Sequence, residues 1–309
     1  MERALQRAGH HTLLIDDRKL RRNLGVSLSQ RWIKARAASF GADLIFLGKG
    51  QGLELDTAYQ LFRGRRTVLW YQDAPYHSQS HRPEIAHLID VGRMCDVFFV
   101  TGYAREWEAL GLRARFLPAA ADRDLIPTPP RAEFAAEVAF IGTGYDEERA
   151  RFLVDLSAHV PVRVWGEHWE RWTHALAWSG RRVDGADFAA ACSSAKIVLG
   201  ILPTIAANAT DYASDRMWMT ALAGGFYLGP RTHGADALLR DGVHCGLYDD
   251  FNSCVRKVHH YLRDANARER TRQAGEHFVR TRHTFDQRVP HLLSGKAFGM
   301  DVFDRAASA

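Results

Sequence analysis

The stretch "DRMWMTALAGGFYLGPRTHGADALLRDG", Asp215 to Gly242, poses the question that decides the fold. Its first part has the apolar spacing of an amphipathic helix; a glycine pair, Gly224-Gly225, then breaks it before an apolar run with the look of a strand. A glycine pair there can end a helix in the left-handed region, where other residues meet a steric penalty, and lets a backbone or a ligand come close. Arg216 stands at the start of that helix. A helix start with a cation beside it can hold an anion. The stretch therefore asks whether this chain binds a phosphate.

Working outward, the same alternation recurs. Upstream, "EVAFIGTG" (137–144) is a strand running into a glycine turn, "DEERARFLVDLSAH" (146–159) a helix, and "VPVRVWG" (160–166) and "KIVLGIL" (196–202) further strands. Downstream, "HCGLYDD" (244–250) is a strand and residues 253–281 are helical. The first part of the chain repeats the pattern: "HTLLID" (11–16), "ADLIFLG" (42–48), "TVLWYQD" (67–73), "DVFFVTG" (96–102) and "ARFLPAA" (114–120) are short apolar runs, with helical segments such as 28–40 and 104–110 between them. Near-continuous apolar strands separated by helices imply parallel sheets covered on both faces. Three prolines within four residues, Pro127, Pro129 and Pro130, mark a linker. The expectation is two α/β domains, 1–126 and 127–290, followed by a tail, 291–309. A doubly wound domain normally opens on a strand, whereas Met1–Ala8 has a helical pattern, so the first strand of the N-terminal domain is expected to be missing, through truncation or a misplaced start.

Composition narrows the class. The chain has 309 residues, 46% of them hydrophobic and 25% charged, as in globular proteins large enough for two cores. No apolar run reaches the roughly 18 residues of a membrane span, and "MERALQRAGHH" lacks a signal peptide's pattern, so a cytoplasmic location is expected. Cys95, Cys192, Cys245 and Cys254 are scattered without a CxxC pair, which suits reduced thiols better than a zinc site. The net charge of +5 attracts phosphates, nucleic acid or anionic membranes. Only six of the 41 basic residues are lysine, however, and an arginine bias of this kind also arises from a GC-rich genome.

From Glu137 on, the order of these segments resembles the donor domain of GT-B glycosyltransferases. "EVAFIGTGYDEERARFLVDL" is similar to the strand, glycine turn and helix that open it, "VPVRVWGEHW" to its next strand, and "AKIVLGI" to the strand before the donor-site helix. "SDRMWMTALAGGFYLGPRTHGADALLRDGVHCGLYDD" and "VHHYLRDANARERTRQAGEHFVRTRHTFDQRV" resemble the signature and closing segment of CgeB-like, group 1-like glycosyltransferases. The resemblance covers about residues 135–293; the first domain matches in architecture, with "WYQDAP" and "FLPAAAD" as its best points. It implies two Rossmann-like domains facing a cleft, a nucleotide-sugar donor (UDP- or GDP-sugar) on the second domain, and an acceptor (a glycan, a small molecule or a modified DNA base) on the first. It further implies chemistry without a metal or other cofactor. One position departs. A Glu thought to bind the ribose often stands five residues before the first glycine of the pair; here that residue is Met219.

The candidate donor residues are Gly142, Thr143 and Gly144, whose amides can approach a phosphate; Arg216, whose planar fork suits a diphosphate; and Gly224 and Gly225. Arg216 could instead pair with Asp211 or Asp215, and Ser214 or Asp215 could cap the helix. Tyr212 could stack on a base or pack in the core. Trp165, Gly166 and His168 close a strand, where ligands of open α/β sheets collect, and Trp165 could cover a nucleobase or fill the core. In "WYQDAPYHSQSH" (70–81), Asp73 and His77 are candidate general bases for an acceptor hydroxyl, Asp73 being equally suited to a turn. "IDDR" (15–18) and "YDD" (248–250) invite a metal, but their aspartates fall where turns favour them. A glycosyltransferase is the leading reading. The others are a non-catalytic relative, for which Met219 speaks, a nucleotide-sugar epimerase, and a phage-type DNA glycosyltransferase.

Overall fold

The structure is a computed structural model and describes residues 1–75, 82–202, 213–232 and 235–299. The chain divides into two compact units. One holds Met1–Pro118 and the described residues from Arg288 onward; the other holds Ala119–Gln287.

In the first unit a short helix α1 (Glu2–Arg7) precedes a long one, α2 (Asp17–Phe40). Gly25, at φ 72° and ψ 176°, kinks α2 near its middle. Then follow β1 (Leu44–Leu47), α3 (Leu55–Phe62), β2 (Arg66–Tyr71), α4 (Arg82–Met94), β3 (Val97–Val100), α5 (Ala104–Ala109) and β4 (Ala114–Phe116). The four strands are parallel and lie in the order β1-β2-β3-β4, the order of the chain. Helical crossovers are the connections that parallel neighbours require. β2 from Thr67 on and all of β3 are buried, as strands covered on both faces should be. "HTLLID" is not a strand. It is extended without a sheet partner, Leu14 is 70% exposed, and Asp16 at its end caps α2 by accepting from the Lys19 amide at 2.9 Å. Three apolar residues in a row give strand propensity, but a strand also needs a neighbouring edge to bond to.

The second unit runs β5 (Ala136–Ile141), α6 (Glu147–Ser157), β6 (Val162–Trp165), β7 (Ala177–Trp178), α7 (Gly185–Ser194), β8 (Ala195–Leu199), α8 (Asp215–Leu222), β9 (Tyr227–Pro230), α9 (Ala235–Leu238), β10 (Gly246–Tyr248), α10 (Phe251–Arg263) and α11 (Ala265–Arg282). All six strands are parallel, in the order β10-β9-β8-β5-β6-β7. Residues alternate across β5. Val138 and Phe140 pack with Leu153, Ile197, Leu228 and Tyr261 on one face, and Ala139 packs with Phe134, Trp165, Val198 and Ala223 on the other. The sheet progresses one way from β5 to β6 and the other way from β5 to β8. That reversal is a topological switch point, where the crossovers diverge and leave a crevice at the strands' carboxyl ends.

A last helix, α12 (Phe285–Ser294), carries the chain back to the first unit, where buried Arg288 donates from Nε to the Pro118 carbonyl at 2.8 Å. None of the four cysteines forms a disulfide; burial pushes the thiols of Cys95 and Cys254 up to about 12, so both stay protonated.

Candidate functional site

The site is built on the switch point, from the ends of β5 and β8 and the start of α8. Ser214 caps α8, its hydroxyl accepting from the Arg216 amide at 3.4 Å. This sets Arg216 in the first turn of the helix, where its side chain folds back onto the end of β5. Its Nε donates to the Ile141 carbonyl at 3.1 Å, and its guanidinium lies 4.8 Å from the centre of the Phe140 ring. Neither terminal nitrogen of Arg216 has a carboxylate partner among the described residues. Asp215 is exposed and does not pair with it. Asp211 and Tyr212 lie outside the described residues, as does His77. The guanidinium is thus fixed by one carbonyl and one ring face, with a terminal nitrogen set against Gly142 in the turn that follows β5.

That turn is Gly142-Thr143-Gly144, and its glycines serve packing. The Gly142 amide donates to the Trp165 carbonyl and the Gly144 amide to the Glu167 carbonyl, both at 2.9 Å. The expectation that these two amides greet a phosphate is therefore corrected: they bind the chain that leaves β6. A Cβ on Gly142 would come within 2.7 Å of an Arg216 terminal nitrogen and 3.0 Å of the Phe140 ring, so the absent side chain is what lets Arg216 dock. A Cβ on Gly144 would strike the His168 carbonyl at 2.4 Å. Gly166 is still tighter. At φ 135° its hypothetical Cβ lies 2.0 Å from the Gly142 carbonyl, which already accepts from the Trp169 indole at 2.8 Å. Among the described residues only the middle amide of the turn, that of Thr143, has no hydrogen-bond acceptor.

Two further candidates change meaning. Trp165 is 1% exposed and packs against Phe134 in the core, with no face left for a base. Gly224 and Gly225 lie at the far end of α8, about 12 Å from its start. Gly224, at φ 77°, ends the helix, its amide donating to the Ala221 carbonyl, and the Gly225 amide donates back to the Thr220 carbonyl. A Cβ on Gly224 would meet Pro127 at 2.8 Å, and one on Gly225 would meet Thr220 at 2.9 Å. The pair closes the helix and allows close packing. Met219 joins the apolar cluster that includes Ile141 and Leu125.

Arg149, the second cation here, was missed by the sequence reading. It is buried, donates from Nη1 to the Thr143 carbonyl at 3.3 Å and stands 5.8 Å from the Phe140 ring centre. Its signal was an arginine on the face of α6 that also carries Leu153 and Leu156. Two guanidinium groups therefore meet one ring beside the turn. Across the switch point, Gly200 follows β8. The Tyr248 hydroxyl donates to its carbonyl at 2.8 Å, and burial beside Cys254 and Tyr227 pushes that hydroxyl well up, keeping it a neutral donor.

In the first unit Asp73 follows β2, and its carboxylate pairs with Lys49 Nζ at 2.5 Å, both side chains about one-third exposed. The aspartates of "IDDR" and "YDD" hold local structure. Asp17 accepts from the Gly52 amide at 3.0 Å, Asp249 pairs with Arg231, and Asp250 forms a capping box with Ser253 at the start of α10.

A fixed cation at a helix start, at the switch point of a parallel sheet, is a site for an anionic group. The family model described as "Glycosyl transferase-like" matches residues 148–294. This segment is a glycosyl transferase-like domain. Solved structures share the fold of the whole chain. Sucrose-phosphate synthase from Thermosynechococcus elongatus superposes with a TM-score of 0.65 at 13% identity, over 96% of this chain and 82% of that one. HepE from Anabaena, in complex with UDP-glucose, gives 0.64 at 12% identity, over 91% and 82%. A glycosyltransferase from Rickettsia africae gives 0.54 at 8%, over 94% and 86%. The fold is the GT-B arrangement of two parallel-sheet units. Comparison with curated proteins by sequence gave no match. Within the glycosyl transferase-like domain lie Arg149, Trp165 and all of α8; the Gly142 turn precedes it.

Proposed function

We propose that the chain is a glycosyltransferase that takes its sugar from a nucleotide-sugar donor, and that Arg216 holds the donor's diphosphate. The observation that carries this is the guanidinium of Arg216, docked on Ile141 and Phe140 in the first turn of α8 without a carboxylate partner among the described residues. Positive charge and the helix start act together on the group whose negative charge grows as the sugar departs, so they stabilise the transition state more than the bound donor. The Thr143 amide is the backbone donor on the same side, and Arg149 adds a second cation behind the turn. HepE, which shares the fold, was solved with UDP and with UDP-glucose, which supports a uridine or similar nucleotide. The first unit is proposed to receive the acceptor, Asp73 being its candidate base. No metal is assigned a role, since the guanidinium supplies the charge that a divalent ion would.

A second reading, a non-catalytic relative, is favoured by Met219, an apolar side chain packed against the core cluster of this unit where the resembling enzymes often carry a carboxylate thought to bind the ribose. Thermal melts with UDP, GDP, ADP and dTDP, followed by hydrolysis assays on the corresponding sugar nucleotides, separate the two. A nucleotide at 100-fold its dissociation constant should raise stability by about 2.7 kcal/mol. Stabilisation with slow sugar release is the expected result. Stabilisation without release would support the inert relative. No shift at millimolar nucleotide, with no release, would overturn the donor reading and favour the inert relative.

A further inference from the structure

Eleven large hydrophobic residues are exposed among those described, and eight of them fall between Leu14 and Tyr59. The clustering centres on the kink of α2. Residues 22–28 are all exposed, so Leu24, Val26 and Leu28 project from the elbow at Gly25, and Trp32 follows one turn later at 40% exposure. Large apolar side chains left exposed together in one segment are a signal of an interaction surface.

The same segment is strongly basic. Between Asp17 and Phe40 stand seven Arg or Lys against one Asp, a net charge of +6. Arg18, Lys19, Arg22 and Arg31 are exposed and have no carboxylate within ion-pair distance among the described residues. Arg21, by contrast, is held by Glu54 at 2.8 Å. Exposed apolar side chains, the tryptophan among them, and uncommitted long cations are the two signals that together give stable adsorption to a lipid surface. A second copy of the chain fits less well, since a two-fold contact through this face would set one +6 segment against another.

We propose that residues 22–32 form a docking surface for an anionic phospholipid membrane, with Leu24, Val26 and Leu28 entering the headgroup region and the free cations pairing with lipid phosphates. The inference is independent of the transferase reading.

Flotation of the full chain with vesicles tests it, using phosphatidylcholine alone and phosphatidylcholine with 30% phosphatidylglycerol. The protein should float with the anionic vesicles and stay behind with neutral ones. Arg22→Glu with Arg31→Glu should weaken partitioning roughly thirtyfold, and raised salt should act in the same direction. Leu24→Ser with Leu28→Ser should weaken it at least tenfold at unchanged melting temperature, since both side chains already face water. Failure to float with anionic vesicles would overturn the proposal. So would flotation that the serine variant leaves intact, because charge alone would then account for it. Light scattering supplies the remaining outcome: a stable dimer that the serine variant dissociates would reassign the face to self-association and also overturn it.

Discussion

The two sheets of this protein are made from the same kind of sequence and differ in how they are wound. In the first, chain order and spatial order coincide from β1 to β4. In the second, the chain leaves β5 in one direction for β6 and β7 and resumes on β5's other side with β8. At the carboxyl ends of the first sheet, Lys49 and Asp73 satisfy each other. At the reversal in the second, Arg216 is anchored by an uncharged carbonyl and a ring, and no carboxylate among the described residues neutralises it. A reversal separates the loops that follow two neighbouring strands, and the resulting crevice is where a group can be fixed without being neutralised.

Substitutions can break or sharpen that contrast. The largest effect is expected at Gly166, where a methyl group would meet the Gly142 carbonyl at a φ that side chains avoid. Gly166→Ala should cost about 3 kcal/mol or more, seen as a large fall in melting temperature. A near-normal melt would mean that the loop after β6 is not locked to the turn. Next is Arg216→Ala, expected to weaken nucleoside diphosphate binding roughly tenfold to a hundredfold in calorimetric titration, with the fold intact. Arg216→Lys should recover only part, for lack of a planar fork. Unchanged affinity would move the donor site elsewhere.

A smaller effect concerns acid. Burial raises the carboxyl of Asp241, but hydrogen bonds from Lys257, the Leu247 amide and Arg231 outweigh it and hold the group below its ordinary value. A carboxyl lowered in the folded state stabilises above its unfolded value, near 4, and that stabilisation is lost as pH falls through the lower folded value. Melting curves of Asp241→Asn should therefore start lower at neutral pH and converge on the wild type in acid; parallel curves would refute the linkage. Smallest is Asp73→Ala, which removes a partly exposed pair and should change stability by at most about 1 kcal/mol. Nucleotide affinity should stay within about twofold, while sugar release slows if Asp73 is the base; a fall in affinity would place Asp73 on the donor.

Most strands were legible because parallel strands buried on both faces are short apolar runs between turn residues. "HTLLID" misled because propensity is local and pairing is not. The winding order, and with it the crevice, is invisible to periodicity. In the candidate site, the place of Arg216 at the start of α8 was legible from the amphipathic pattern that follows it. The glycines were legible as glycines but not by role: a close approach of two backbones and a close approach of a phosphate leave the same residue in the sequence. Arg149 was hidden because an arginine among Leu153 and Leu156 interrupts the apolar face by which α6 was found.

The far end of α8 has a mechanical consequence. Its last carbonyls are gripped by α11, with Arg280 donating to Leu222 at 3.2 Å and Arg272 to Gly224 at 3.0 Å, while Trp218 stacks on His283 at 4.2 Å. The helix is therefore held both at its end and along its length, with Arg216, the proposed donor residue, in its first turn. If Arg216 holds the donor, the position of its guanidinium depends in part on how α11 seats α8, through half-buried arginines a helix-length away. Mutational drift on α11 would then retune the site without touching any residue that meets the substrate.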